Sequence, residues 1–196
     1  VASVGRLRGG IGGIALATWF GVMTLVCAGL LARHVLAMPT PTRTARLGQH
    51  LATLRHPGQP KQWLAVHVLD SECKCSQRVA NHLVETTRPA GVTEVVLWVG
   101  PVAPPPSLGE HFEVRRVTGE ELARYEIEAA PLLIAVSPEN VVAYAGGYTD
   151  RKQGPVFHDL DVLASVMTSH AVTTLPLFGC ATSARLRNAL STLPVP

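Results

Sequence analysis

Residues 63–75, WLAVHVLDSECKC, constrain this chain most. An apolar run of strand type ends there at two cysteines one residue apart, Cys73 and Cys75. The SQRVANHLVETTR that follows predicts a helix over about 76–88, with Val79, Leu83 and Val84 sharing a face. A strand–loop–helix unit puts its loop residues beside a helix N-terminus, where backbone N–H groups stabilise a thiolate. Thiols placed so suit thiol–disulfide or metal chemistry. A structural bridge over one intervening residue would close almost no loop entropy.

The rest of the chain reads as an α/β domain behind an apolar segment. Residues 43–55 carry Leu47, Leu51 and Leu54 at helical spacing, and HPGQP at 56–60 is a turn cluster. VTEVVLWV (92–99) is a nearly continuous apolar run, as expected for a strand buried on both faces. GPVAPPPSLGE (100–110) predicts a Pro-rich surface loop without regular structure. HFEVRRV (111–117) is a further strand candidate, and Thr118 with Glu121 forms a capping-box pattern for the next helix. PLLIAVS and NVVAYAG predict a hairpin, and 155–170 an amphipathic helix with Pro155 in its first turn. LPLFGC (175–180) is irregular, and ATSARLRNAL predicts a last short helix. This order predicts a mixed sheet covered by helices on both faces. The divisions are a tail (1–10), an anchor (11–32), a linker with leading helix (33–60), the main domain (61–170) and an extension (171–196).

Ile11 to Ala32 is a 22-residue stretch without a charged residue. As a helix it spans roughly 33 Å, the thickness of a bilayer's hydrocarbon core. A secretory signal is the rival, with Val35-Leu36-Ala37 as its cleavage site, but the apolar run exceeds the usual h-region. Arg6 and Arg8 before the span are balanced by Arg33, Arg43 and Arg46 behind it, so charge leaves orientation open. A reactive thiol pair fits a compartment where disulfides persist, hence a single-pass inner (plasma) membrane protein with an extracytoplasmic domain. A net charge of +3 without a Lys/Arg block argues against nucleic acid as a partner.

Two blocks carry a resemblance to the thioredoxin-like superfamily over about residues 60–170. One is the strand ending in Asp70-Ser71-Glu72-Cys73-Lys74-Cys75-Ser76. The other is Tyr125 through Pro131-Leu-Leu-Ile-Ala-Val, a turn, then Val-Val-Ala-Tyr-Ala-Gly-Gly. The resemblance implies a cis proline, Pro131, facing the thiols, then a hairpin and a last helix. The sequence departs from the usual pattern in having one residue between its cysteines. Ser76 stands where the second cysteine would be if Cys73 is the nucleophile, and Glu72 replaces the customary aromatic.

The redox reading makes Cys73 an exposed attacking thiolate, favoured by the helix end and Lys74 and opposed by Glu72. Cys75 would resolve the mixed disulfide, Pro131 would place the partner backbone, and no organic cofactor is expected. A disulfide across one residue is strained, which favours donating or isomerising disulfides in protein partners. Cys180, in LFGCATS, is either an accessory thiol or a small core residue; Cys27 lies inside the apolar span.

Two alternatives remain open. Cys73, Cys75 and Cys180 with His67, His82 or His111 would make a soft copper or iron–sulfur site, as in a metal chaperone or assembly factor. Against this, His67 reads as an interior strand residue, His82 falls on the outer face of its helix, and no recognised ligand spacing is present. The other alternative is a non-catalytic interaction domain. Asp70, Glu120, Glu121, Asp159 and Asp161 have ordinary cap or surface readings.

Overall fold

The computed structural model describes residues 4–56, 58 and 61–192. It divides into two compact units, one holding α1 (Val4–Val35) and the other spanning Ala37–Ser191. Within α1, Gly12–Leu30 is long and apolar enough to cross a membrane, as a signal sequence also would be. Leu16, Trp19, Phe20 and Leu25 are all exposed on it.

In the second unit, β1 (Trp63–Asp70), β2 (Val92–Val99), β3 (Glu113–Val117), β5 (Leu132–Val136) and β6 (Val142–Gly146) form a sheet ordered β3-β2-β1-β5-β6. β1, β2 and β3 are parallel; β5 runs antiparallel to β1, and β6 to β5. β1 is central and buried from its second residue onward. Its alternation divides the core. Leu64, Val66 and Val68 face Leu47 and Leu51 of α2 (Ala45–Ala52) and Leu122 of α5 (Gly119–Ala123). Ala65 and Leu69 face the opposite layer, formed by α3 (Lys74–Glu85), α4 (Pro106–His111) and α6 (Asp159–Met167). The expected mixed sheet with helices on both faces is what the chain builds.

Several local expectations need correcting. α3 starts at Lys74, so Cys73 is its N-cap and Cys75 its second residue. The Pro-rich stretch is not wholly irregular, because Pro106 opens α4 at the one helical position where a missing N–H costs nothing. α6 begins at Asp159 behind the N-cap His158, leaving Pro155 outside it. The irregular segment 175–180 contains a backbone bridge from Leu177 to Met38 and ends in β7 (Cys180–Ala181). β7 pairs antiparallel with β4 (Ala129–Ala130), and α7 (Ala184–Ser191) follows.

The α3/α6 layer encloses an ionic network. Arg88 donates to Glu94 at 2.8 Å and to Asp159 at 2.7 Å. Asp159 also meets His82 Nε2 at 2.8 Å, while His67 bridges Glu94 and the Tyr148 hydroxyl, both at 2.8 Å. Asp159 is therefore a buried residue rather than a surface cap, and His82 faces α6 and stacks on Phe157 instead of pointing outward. Burial works against ionisation of Glu94 and Asp159, but His67 and Arg88 at the first, and Arg88 and His82 at the second, outweigh it and hold both below the usual carboxylate range. Because those folded-state values are depressed, the stabilisation is present above the unfolded carboxylate pKa and is lost as pH falls through the folded values. Removing Arg88 leaves two buried carboxylates with only histidine partners, so Arg88→Ala is expected to cost about 3–5 kcal/mol at neutral pH by denaturant unfolding. A change below about 1 kcal/mol would mean the network is not a structural brace.

Candidate functional site: a three-thiol cluster at the end of β1

β1 ends at Asp70, and the loop that follows is braced on both sides. Ser71 N–H donates to the Val99 carbonyl at 2.8 Å, tying the loop to the end of β2. Gly100 approaches so closely that a Cβ there would lie 2.2 Å from the Ser71 hydroxyl. Asp70 N–H donates to Ser76 Oγ at 3.0 Å, and the Asp70 carboxylate accepts from Glu72 N–H at 2.8 Å. Cys73 N–H donates to the Asp70 carbonyl, and its own carbonyl accepts from Gln77 N–H, closing the first turn of α3. The strand end and helix start are thus one rigid corner carrying Cys73.

The second wall comes from far along the chain. The Ala130–Pro131 peptide bond is cis. The Cys73 thiol lies 3.9 Å from the Ala130 carbonyl oxygen. Across the β4–β7 ladder the residue opposite Ala130 is Cys180. The structure therefore brings Cys73, Cys75, Pro131 and Cys180 to one place. All four cysteines of the chain, Cys27 included, are free thiols.

The thiols divide their roles by charge. The Cys180 and Cys75 thiols, then the backbone N–H groups of Ser76 and Cys75, favour the ionised form of Cys73 against its burial. Together these donors overcome burial and hold the Cys73 pKa far below the ordinary thiol value. The same hydrogen bonds raise Cys75 and Cys180, which keep their protons to donate. Lys74 is exposed, and the sequence signal for a low pKa rests on the helix end rather than on its charge. Burial and the nearby Cys73 thiolate raise the Asp70 carboxyl, despite the Glu72 N–H it accepts.

Accessibility differs from expectation. Cys73 is only 1% exposed, not an open nucleophile, whereas Cys180 is exposed and Cys75 half-buried. Cys75 borders a small cleft with Arg78, Pro131, Tyr148, Phe157 and Phe178. Phe178 belongs to the segment leading into β7, so the C-terminal extension forms part of the site.

That extension is firmly docked. Thr182 N–H donates to the Glu128 carbonyl at 2.7 Å. The Glu128 carboxylate accepts from Ser183 Oγ at 2.9 Å and from Nε and Nη2 of Arg185, and Arg185 holds it below the usual carboxylate range. Gly179 lets the two backbones meet, because a Cβ there would lie 1.8 Å from the Ala130 oxygen. The sequence offered Cys180 as an accessory thiol but gave no sign of this Glu128 anchor, which joins residues 128 and 185 through tertiary contact alone.

The histidines named as metal ligands lie elsewhere. His67 and His82 are committed to the ionic network, and His111 Nδ1 donates within α4 to the Ser107 carbonyl. Among the described residues, no group of three or more His, Cys, Asp and Glu side chains is arranged to hold a metal ion.

No family model matches the chain, and no curated protein matches it. Among solved structures, a hypothetical protein from Sinorhizobium meliloti 1021 is similar with a TM-score of 0.50 and 17% identity, over 76% of this chain and 98% of that one. An uncharacterized conserved protein from Geobacillus kaustophilus aligns with a TM-score of 0.46 and 17% identity, over 63% of this chain and 77% of that one. At such identity the first likeness concerns the fold alone.

Gly179→Ala is expected to loosen β7 from β4. Losing about 1.4 kcal/mol of docking raises the open population about tenfold, and Cys73 alkylation should rise by that factor. An unchanged alkylation rate in a variant that still folds would show that β7 does not cover Cys73.

Proposed function

We propose that this chain is a membrane-anchored, thioredoxin-like thiol–disulfide oxidoreductase whose domain works outside the cytoplasm on protein thiols and disulfides. The observation that carries this reading is the meeting of Cys73, Cys75 and Cys180 beside the cis Ala130–Pro131 bond. A sulfur held as thiolate is both a better nucleophile than a thiol at neutral pH and a good leaving group. Pro131 borders the cleft next to Cys75, where a partner backbone would run. The apolar α1 serves as the anchor, and an oxidising compartment suits a site whose work is disulfide exchange.

A second reading is favoured by one observation, the burial of Cys73. It makes the domain a non-catalytic platform whose thiols are packing residues. A glutathione redox series separates the two. The oxidoreductase reading predicts that the chain exchanges disulfides with glutathione reversibly and that Cys73→Ser reduces turnover by at least about a hundredfold. Full turnover in Cys73→Ser would end this mechanism, and thiols inert at every redox poise would favour the platform.

A further inference from the structure

Exposure differs sharply within the cluster. Cys73 is 1% exposed, with its sulfur 3.9 Å from the Ala130 carbonyl oxygen, whereas Cys180, paired opposite Ala130, is exposed. Cys75 is less suited to bridge Cys73. Only Lys74 separates them, so a bridge would close a very small ring at the first turn of α3. Joining them would disturb the turn closed by the Gln77 N–H to Cys73 carbonyl bond at 3.0 Å. Cys180 arrives on a separate strand, fixed opposite Ala130 by the β4–β7 ladder. Behind it the Glu128 anchor and the Ala184 N–H to Glu120 bond at 2.9 Å hold the segment in place. An extended strand carrying a cysteine is thus already laid alongside the buried sulfur, as an added peptide strand would be.

We propose that Cys180 is the partner-facing thiol of this site and Cys73 its internal redox mate, so that disulfides enter and leave through Cys180. This rests on the oxidoreductase reading above. With the Cys73–Cys180 pair oxidised, the thiolate of a partner dithiol attacks the sulfur of Cys180, the exposed residue of the pair. A partner–Cys180 disulfide forms, the Cys180–Cys73 bond breaks, and Cys73 departs as the thiolate. Cys73 is the better leaving group because the N–H groups of Ser76 and Cys75 and the Cys75 thiol receive its charge. The partner's second thiol then attacks its own sulfur bound to Cys180. The partner disulfide closes, and Cys180 leaves and takes up the proton released by that thiol. The partner loses two electrons and the two protein sulfurs gain them. Reoxidation by a small disulfide such as glutathione disulfide follows the same bonds in reverse, with the Cys180 proton first passing to Cys73 along their hydrogen bond. In this scheme Cys75 forms no disulfide and acts as a donor to the Cys73 thiolate.

The test uses the full chain in detergent, oxidised with glutathione disulfide, alkylated and mapped by peptide. The expected product has a Cys73–Cys180 bridge with Cys75 alkylated. In Cys73→Ser, glutathione should accumulate on Cys180, about tenfold faster than on Cys73 in Cys180→Ser, where the remaining sulfur is buried. Equal or faster labelling of Cys73 in Cys180→Ser would overturn the assignment. A Cys73–Cys75 bridge with Cys180 alkylated would also overturn it while leaving the oxidoreductase reading intact. Absence of any bridge or adduct in all three proteins would end both.

Discussion

A sulfur can carry charge in a protein interior only if donors surround it, and that requirement organises the functional end of this domain. Burial alone would push the Cys73 thiol up. Two thiols and two backbone N–H groups reverse that. Each donor has a structural source. The N–H groups exist because α3 begins one residue after Cys73, and the Cys75 thiol because it occupies the first turn. The Cys180 thiol is there because the chain returns after α6 to add a two-residue strand beside β4. The cis peptide bond at Ala130–Pro131 ends that strand, just before β5 enters the main sheet.

The opposite half of the α3 layer obeys the same rule with different chemistry. Arg88, Glu94, Asp159, His82 and His67 are satisfied by one another, and Tyr148 closes the chain of contacts with its hydroxyl on His67. Burial holds the Tyr148 phenol in its protonated form. Tyr148 also borders the cleft beside Cys75 and Pro131, so the ionic brace and the thiol cluster share a wall. The brace fixes the packing of α3 against α6, and through α3 the orientation of the thiols at its N-terminus.

Local pattern made much of the fold legible. The apolar runs at 63–70 and 92–99 are the two central parallel strands, paired from Trp63 with Val92 to Asp70 with Val99. The hairpin of β5 and β6 and the Thr118–Glu121 capping box were equally readable, because turn and cap chemistry are local. What escaped was tertiary. Nothing around His82 or Asp159 reveals that they meet, since 77 residues separate them. The burial of Cys73 depends on Ala130 and Cys180, which periodicity around the cysteine pair cannot report. α4 was missed for a different reason: prolines that usually signal loop also make good first residues of a helix. Cys73, Cys75, Pro131 and Cys180 were all readable as candidates, but that Cys73 is buried while Cys180 is exposed required the folded site.

The account stands or falls on where the negative charge resides. Ultraviolet thiolate absorbance of the reduced chain, titrated against pH and compared with Cys73→Ser, measures this directly. The predicted result is one thiolate persisting well below the ordinary thiol value of about 8.5 and vanishing in Cys73→Ser, with the other thiols ionising only above it. No thiolate signal below about pH 8 in the reduced protein would contradict the central claim and leave the cluster as three ordinary thiols.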